Sequence, residues 1–186
     1  MEAEERQLVM DQLASSEARL LDLVDGQTPE QWSFRETPER WSIAENTEHV
    51  IAVENFITRT IEKVLEGPAE LHKKALAAGK DHLVLGLANS RSTRLNAREA
   101  MRPVGRWPDT AELMGALRKT RARTLAFAAE TKADLRDHFF AHIAFGVLDC
   151  YQWLIVLGQH GARHARQIEE IKASATFPGK SQATQA

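Results

Sequence analysis

Apolar residues recur at the spacing of one helix face in four long stretches of the chain. Residues 4–25 lack glycine and proline and place Val9, Leu13, Leu20 and Val24 on one side, with Glu4, Glu5, Asp11 and Glu17 largely elsewhere. Thr28-Pro29-Glu30-Gln31 has a cap residue, a proline at the first helical position and a glutamine three after the cap, which predicts a short helical turn. Phe34 to Arg40 reads as loop. Ser42-Ile43-Ala44-Glu45 is another capping box and opens a helix to about Leu65, stopped by Gly67-Pro68, with Ile43, Val50, Val53, Ile57, Ile61 and Val64 along its stripe. His49 flanks that stripe. Asp109 restarts the pattern, and Leu113, Leu117, Thr120, Thr124 and Phe127 give a third long helix to about Glu130.

The fourth helix is expected from Val147 to about Ser174. Its stripe runs Trp153, Val156, Leu157, His160, His164, Ile168 and Ile171, with Gln159, Arg163, Arg166, Glu169 and Glu170 on the solvated side. Its first half is apolar nearly all round, so two faces need covering, and a second subunit is one way to cover the spare one. Between residues 68 and 108 the pattern breaks into short pieces with one or two short helices, and residues 175–186 read as a disordered tail. No strand and no repeat is legible. The expected architecture is all-α: a single four-helix-bundle domain over residues 1–174, with a long connection between the second and third helices.

Composition narrows the setting. The 186 residues are 43% hydrophobic and 27% charged, with a net charge of -2 and a pI near 6.4, so no global field favours nucleic acid or an anionic membrane. A single cysteine, Cys150, excludes an intramolecular disulfide framework, and the start MEAEERQL is acidic where a signal peptide is basic and then apolar. The expected location is the cytoplasm. The most apolar run, Phe139 to Gly158, carries His142, Asp149 and Gln152 and is too polar to span a bilayer.

Two histidines four residues apart on a helix leave the same face, so His160 and His164 form half of a metal site pointing at the core. His49, on another helix beside a core stripe, is the best-placed third ligand. His72 and His82 fall in the irregular connection, and His138 and His142 precede the last helix. Residue 161 is Gly, so the glutamate base of an H-E-x-x-H zinc protease is missing. The competing reading is a pair of hydrogen-bonded core histidines with no metal.

Three blocks sharpen the choice: Arg40-Trp41-Ser42-Ile43-Ala44-Glu45-Asn46-Thr47-Glu48-His49-Val50, His142-Ile143-Ala144-Phe145-Gly146-Val147, and His160-Gly161-Ala162-Arg163-His164-Ala165-Arg166-Gln167-Ile168. Together they resemble the DinB-like family of metal-binding bundles, with its "W-S-x-x-E-x-x-x-H" helix start and late "H-x-x-x-H-x-x-Q-I" helix. The resemblance implies an up-down-down-up bundle, a homodimer, and nickel, zinc or iron on His49, His160 and His164. It also implies thiol-dependent chemistry, since characterised relatives are bacillithiol S-transferases and mycothiol-dependent maleylpyruvate isomerase. The loop departs from the family, with Ile143 where many members have proline.

The function expected is therefore a metal-dependent thiol S-transferase or isomerase acting on a small electrophile, with a low-molecular-weight thiol as co-substrate. The alternative is a non-enzymatic, stress-related homodimer with a structural or vestigial metal. Glu45 is a candidate to orient His49, and Gln167 to contact substrate. Arg91, Arg94, Arg98 and Arg102 recur at helical spacing, and Arg94 and Arg98 are candidates to bind the carboxylates of an anionic thiol. The competing reading of each is structural: a capping glutamate for Glu45, a solvated face for the arginines. Cys150 reads as a small buried hydrophobe.

Overall fold

The structure is a computed structural model and describes residues 1–90 and 97–179. The chain is mostly helical, with four long helices: α1 (Ala3–Val24), α3 (Ile43–Leu65), α6 (Thr110–Glu130) and α7 (Cys150–Ala173). The short helices are α2 (Pro29–Ser33), α4 (Lys74–Ala77) and α5 (Asp81–Leu87), and single 3-10 turns lie at Leu71–Lys73 and Glu99–Met101. Side chains close the starts that the sequence marks. Ser42 accepts from the Glu45 amide while Glu45 reaches back to the Ser42 amide, and Asp109 accepts from the Glu112 amide.

The α1 helix packs against α7 and α6, and α3 packs against the same two. Each of the four long helices sorts its buried positions in the same way. One apolar set holds Leu13, Ile57, Ala128 and Leu157, and the other holds Leu20, Ile51, Leu117 and Ala165. Between the two sets, at one level, lie Ser16 of α1, Glu54 of α3 and Arg121 of α6. Arg121 is fully buried and pairs with Glu54 at 2.9 Å, and it also donates to Leu13 O at 3.1 Å and Ser16 Oγ at 3.3 Å. Removing one partner of such a pair strands a buried charge, at about 3–5 kcal/mol. The layer therefore fixes how the helices slide against one another.

Two glycines of α7 admit α1. A Cβ at Gly158 would meet Gln12 Cβ at 2.8 Å and the Gln12 backbone at 3.0 and 3.1 Å, while one at Gly161 would meet Ser16 Oγ at 3.0 Å. With its glycines turned to α1, α7 carries His160 and His164 on a different face.

The fold departs from the expected all-helical chain. Phe139–His142 (β1) and Gly146–Asp149 (β2) pair antiparallel, Phe139 opposite Asp149 and His142 opposite Gly146. Residues 147–149, expected in the last helix, thus belong to a strand, and Asp149 caps α7 by accepting from the Gln152 amide at 2.7 Å. The second apolar face of α7, which needed covering, is covered within the chain, by α5 and the hairpin, so that Cys150 to Leu157 are all buried. Gln159, expected on the solvated side, is buried under hydrogen bonds with Gln12 and Asn89. Beyond α7, Phe177 of the expected tail is buried edge-on against Phe34, with ring centroids 5.4 Å apart. Among the described residues no helix is long and apolar enough to cross a membrane.

Helix propensity and packing make opposite forecasts for Gly158→Ala. Propensity alone adds roughly 1 kcal/mol of stability. The clash with the Gln12 backbone subtracts about 1–3 kcal/mol, and a net loss is expected in urea unfolding. A stabilised variant would contradict the close approach of α1 and α7.

Candidate metal centre

His49, His160 and His164 come together. One ring nitrogen from each lies within 4.8 Å of the other two, and the Nε2 atoms of His160 and His164 are 3.2 Å apart. The rings of His49 and His164 share a floor with Trp41, whose centroid is 4.8 Å from that of His49 and 6.4 Å from that of His164.

The outer nitrogens decide what the inner ones can do. His49 Nδ1 lies 2.7 Å from Met101 O, and a carbonyl only accepts, so the proton is on Nδ1 and Nε2 carries a lone pair. His164 Nδ1 lies 2.8 Å from Asn46 Oδ1. The Asn46 amide donates to Ser42 O at 2.8 Å and Trp41 O at 3.4 Å, which turns Oδ1 towards the imidazole and makes His164 Nδ1 the donor as well. His164 Nε2 is thus also a lone pair. His160 alone can satisfy just one of these acceptors by donating to His164.

The donor set fits a divalent ion. Metal-bound imidazoles are held at about 2.0–2.1 Å and donate their other N–H to a carbonyl or amide oxygen, as His49 and His164 do here. Three ligands at that distance around a tetrahedral ion lie about 3.4 Å from one another, so nitrogens that are all within 4.8 Å of one another are brought into reach by closing at most about 1.4 Å. Burial pulls His49 below its ordinary value, partly opposed by its hydrogen bond to Met101, and pulls His160 well below. Neutral imidazole is the form that ligates.

The Met101 carbonyl is itself held in place. Glu48, buried on α3, accepts from the amides of Val104 at 3.0 Å, Gly105 at 2.9 Å and Arg106 at 3.3 Å, and so fastens the chain just after the 3-10 turn onto α3. Neither Asn46, Glu48 nor Met101 stood out as a site residue in the sequence. Asn46 and Glu48 had one available signal, polar side chains close to the apolar stripe of α3. The carbonyl of Met101 had none.

The histidines open onto a cleft of about 1310 Å³. One wall is aromatic, with Phe140, His142, Phe145 and Trp153; Phe56, Leu87 and Ile143 are exposed apolar residues that also line it. Arg40, Arg98, Arg102 and Arg163 make its basic side. Arg98 is exposed, and Arg102 is exposed and pairs with Glu99 at 3.5 Å. Both have extended backbone on either side of the 3-10 turn, so the expected helical spacing does not hold for them; Arg91 and Arg94 lie outside the described residues. Gln167 lines the cleft, and its Oε1 is buried with no hydrogen-bond partner among the described residues. Glu45 does not reach His49: its oxygens take the Ser42 amide and Arg35. Cys150 is buried, and its thiol is pushed up to about 12 by burial and by Asp149. His72 and His82 are exposed, and both ring nitrogens of His138 face backbone carbonyls, of Asp134 and Gly67.

Asn46→Ala should weaken zinc binding about tenfold to a hundredfold in a competition titration while leaving the helical content unchanged. Unaltered affinity would remove Asn46 from the site. A second expectation concerns acid. Because the folded values of His49 and His160 are lowered, their contribution to stability is complete above about pH 6.5 and is lost as pH falls towards the folded values. In chelator, the chain should lose stability between about pH 7 and pH 5 more steeply than its His49→Gln/His160→Gln variant, and equal slopes would contradict buried neutral imidazoles.

No curated protein and no solved structure matches the chain. The model of the DinB superfamily matches residues 12–168, a span that takes in all three histidines, the aromatic wall of the cleft, the whole of α3 and α6 and the greater part of α1 and α7. The chain belongs to the DinB superfamily.

Proposed function

We propose that this protein is a metal-dependent enzyme, a thiol S-transferase or isomerase that joins a low-molecular-weight thiol to a small electrophile, on a four-helix bundle of up-down-down-up topology. The observation that carries the reading is the convergence of three imidazoles, two of them presenting lone pairs, on a cleft large enough for two small molecules. A divalent ion such as nickel, zinc or iron, when bound, supplies a coordination position at which a thiol is held as thiolate.

The chain's own residues do the rest. Met101 and Asn46 aim the imidazoles, and Trp41 shields them on one side. The buried Oε1 of Gln167 accepts a hydrogen bond from an amide of the thiol, and Arg98 and Arg102 meet its carboxylates. The nucleophile comes from outside, because Cys150 is buried and holds its proton. Family likeness adds a homodimer to the proposal.

The test is turnover by metal-loaded protein with a panel of thiols and a chromogenic electrophile. Wild-type protein should contain one divalent ion per chain and turn over with at least one thiol, and His160→Ala should lose both. Metal content with no turnover for any thiol, together with a melting temperature lowered by chelation, would instead support a structural metal in a non-enzymatic protein.

A further inference from the structure

One imidazole on the cleft wall lies outside the triad. His142 ends β1, at the turn of the hairpin, and its Nδ1 accepts two backbone N–H groups, from Ala144 at 3.0 Å and Phe145 at 3.2 Å. Two donors aimed at one nitrogen require a lone pair there, so the proton sits on Nε2. The turn that supplies those donors is fastened independently. Lys80 donates to Phe145 O at 2.7 Å and Val147 O at 2.9 Å, and Gly146 closes the turn at φ +68. Protonating Nδ1 would set it against both amides, and burial already holds the imidazole at about 4, helped by Arg98.

The ring is equally constrained from its sides. Phe145 stacks on it at 4.7 Å and Trp153 lies at 5.1 Å, itself stacked on Phe140 at 4.2 Å. Trp153 spends its N–H on Phe140 O at 3.2 Å. The wall is thus apolar except for His142 Nε2–H, which makes no hydrogen bond among the described residues. A fixed, uncharged donor in an aromatic surface suits an uncharged acceptor on a flat molecule. A carboxylate is better served by the arginines of the same cleft.

We propose that His142 contacts the substrate, its Nε2–H holding the carbonyl oxygen of an uncharged, planar compound laid against the Phe140–Trp153 wall. This names the class of the electrophile in the reading above and rests on it for the word electrophile. The binding itself does not depend on turnover. No proton is transferred: the imidazole keeps its tautomer, and the hydrogen bond selects and orients the carbonyl.

The experiment is nitrogen NMR on the zinc-supplemented full chain, with His142 assigned by difference from His142→Phe. Long-range couplings should show His142 protonated on Nε2 across about pH 6–9. An Nδ1–H tautomer would overturn the proposal. Succinimide, an unreactive planar carbonyl probe, should shift the His142 Nε2 resonance on binding. Its dissociation constant should rise roughly fivefold to tenfold in His142→Phe and recover in His142→Gln, whose amide restores a donor. Zinc content should be the same in all three, which a collapse of the site would not allow. No shift with succinimide, or equal binding of succinate, overturns the assignment. Because no step of this test requires a thiol or turnover, it stands or falls apart from the S-transferase reading.

Discussion

An imidazole ligates through the nitrogen that does not carry its proton, so the proton's position decides whether a group of histidines is a metal site or a knot of hydrogen bonds. Here that position is imposed from outside the cluster. The Met101 carbonyl fixes the proton of His49 on Nδ1, and the Asn46 amide, itself oriented by Ser42 O, does the same for His164. Both rings then turn lone pairs inward beside the Nε2 of His160. In the absence of a cation two acceptors compete for one donor. The burial that makes His49 and His160 poor bases also holds them in the ligating form.

The fold serves this arrangement at each level. Glu48 draws the chain around Met101 onto α3 through three backbone amides, so one side chain of α3 positions the acceptor of its neighbour His49. The polar layer of Ser16, Glu54 and Arg121 sets the helices in register, and Gly161 leaves the room that Ser16 and Arg121 occupy. Gly161 directly follows His160 in the chain. Register in the core and direction at the cleft are therefore fixed within one turn of α7. The hairpin then supplies the far wall, with its own histidine held by its own turn.

Much of this was legible in the sequence. The four stripes gave the long helices, the boxes at Ser42-Glu45 and Thr28-Gln31 gave two starts, and the spacing of His160 and His164 with a flanking His49 gave the triad. What was missed has physical causes. Four-residue strands are too short to show a period, and Val147 to Asp149 ran on from an apolar helix pattern. Gln159 read as solvated because polarity normally marks the surface, and only a partner on another helix reveals otherwise. Glu45 was open to two readings, and the capping one accounts for its contacts with Ser42 while Arg35 takes the remainder. A backbone carbonyl such as that of Met101 leaves no trace in residue type at all.

The central claim concerns three nitrogens around one ion, and X-ray absorption reads that directly. Cobalt(II) added to the chelator-stripped protein should give an absorption fine structure with three imidazole ligands at about 2.0–2.1 Å and no sulfur. A His49→Gln variant should then show two imidazoles. A spectrum with one imidazole or none, or with a sulfur ligand from Cys150, would contradict the account.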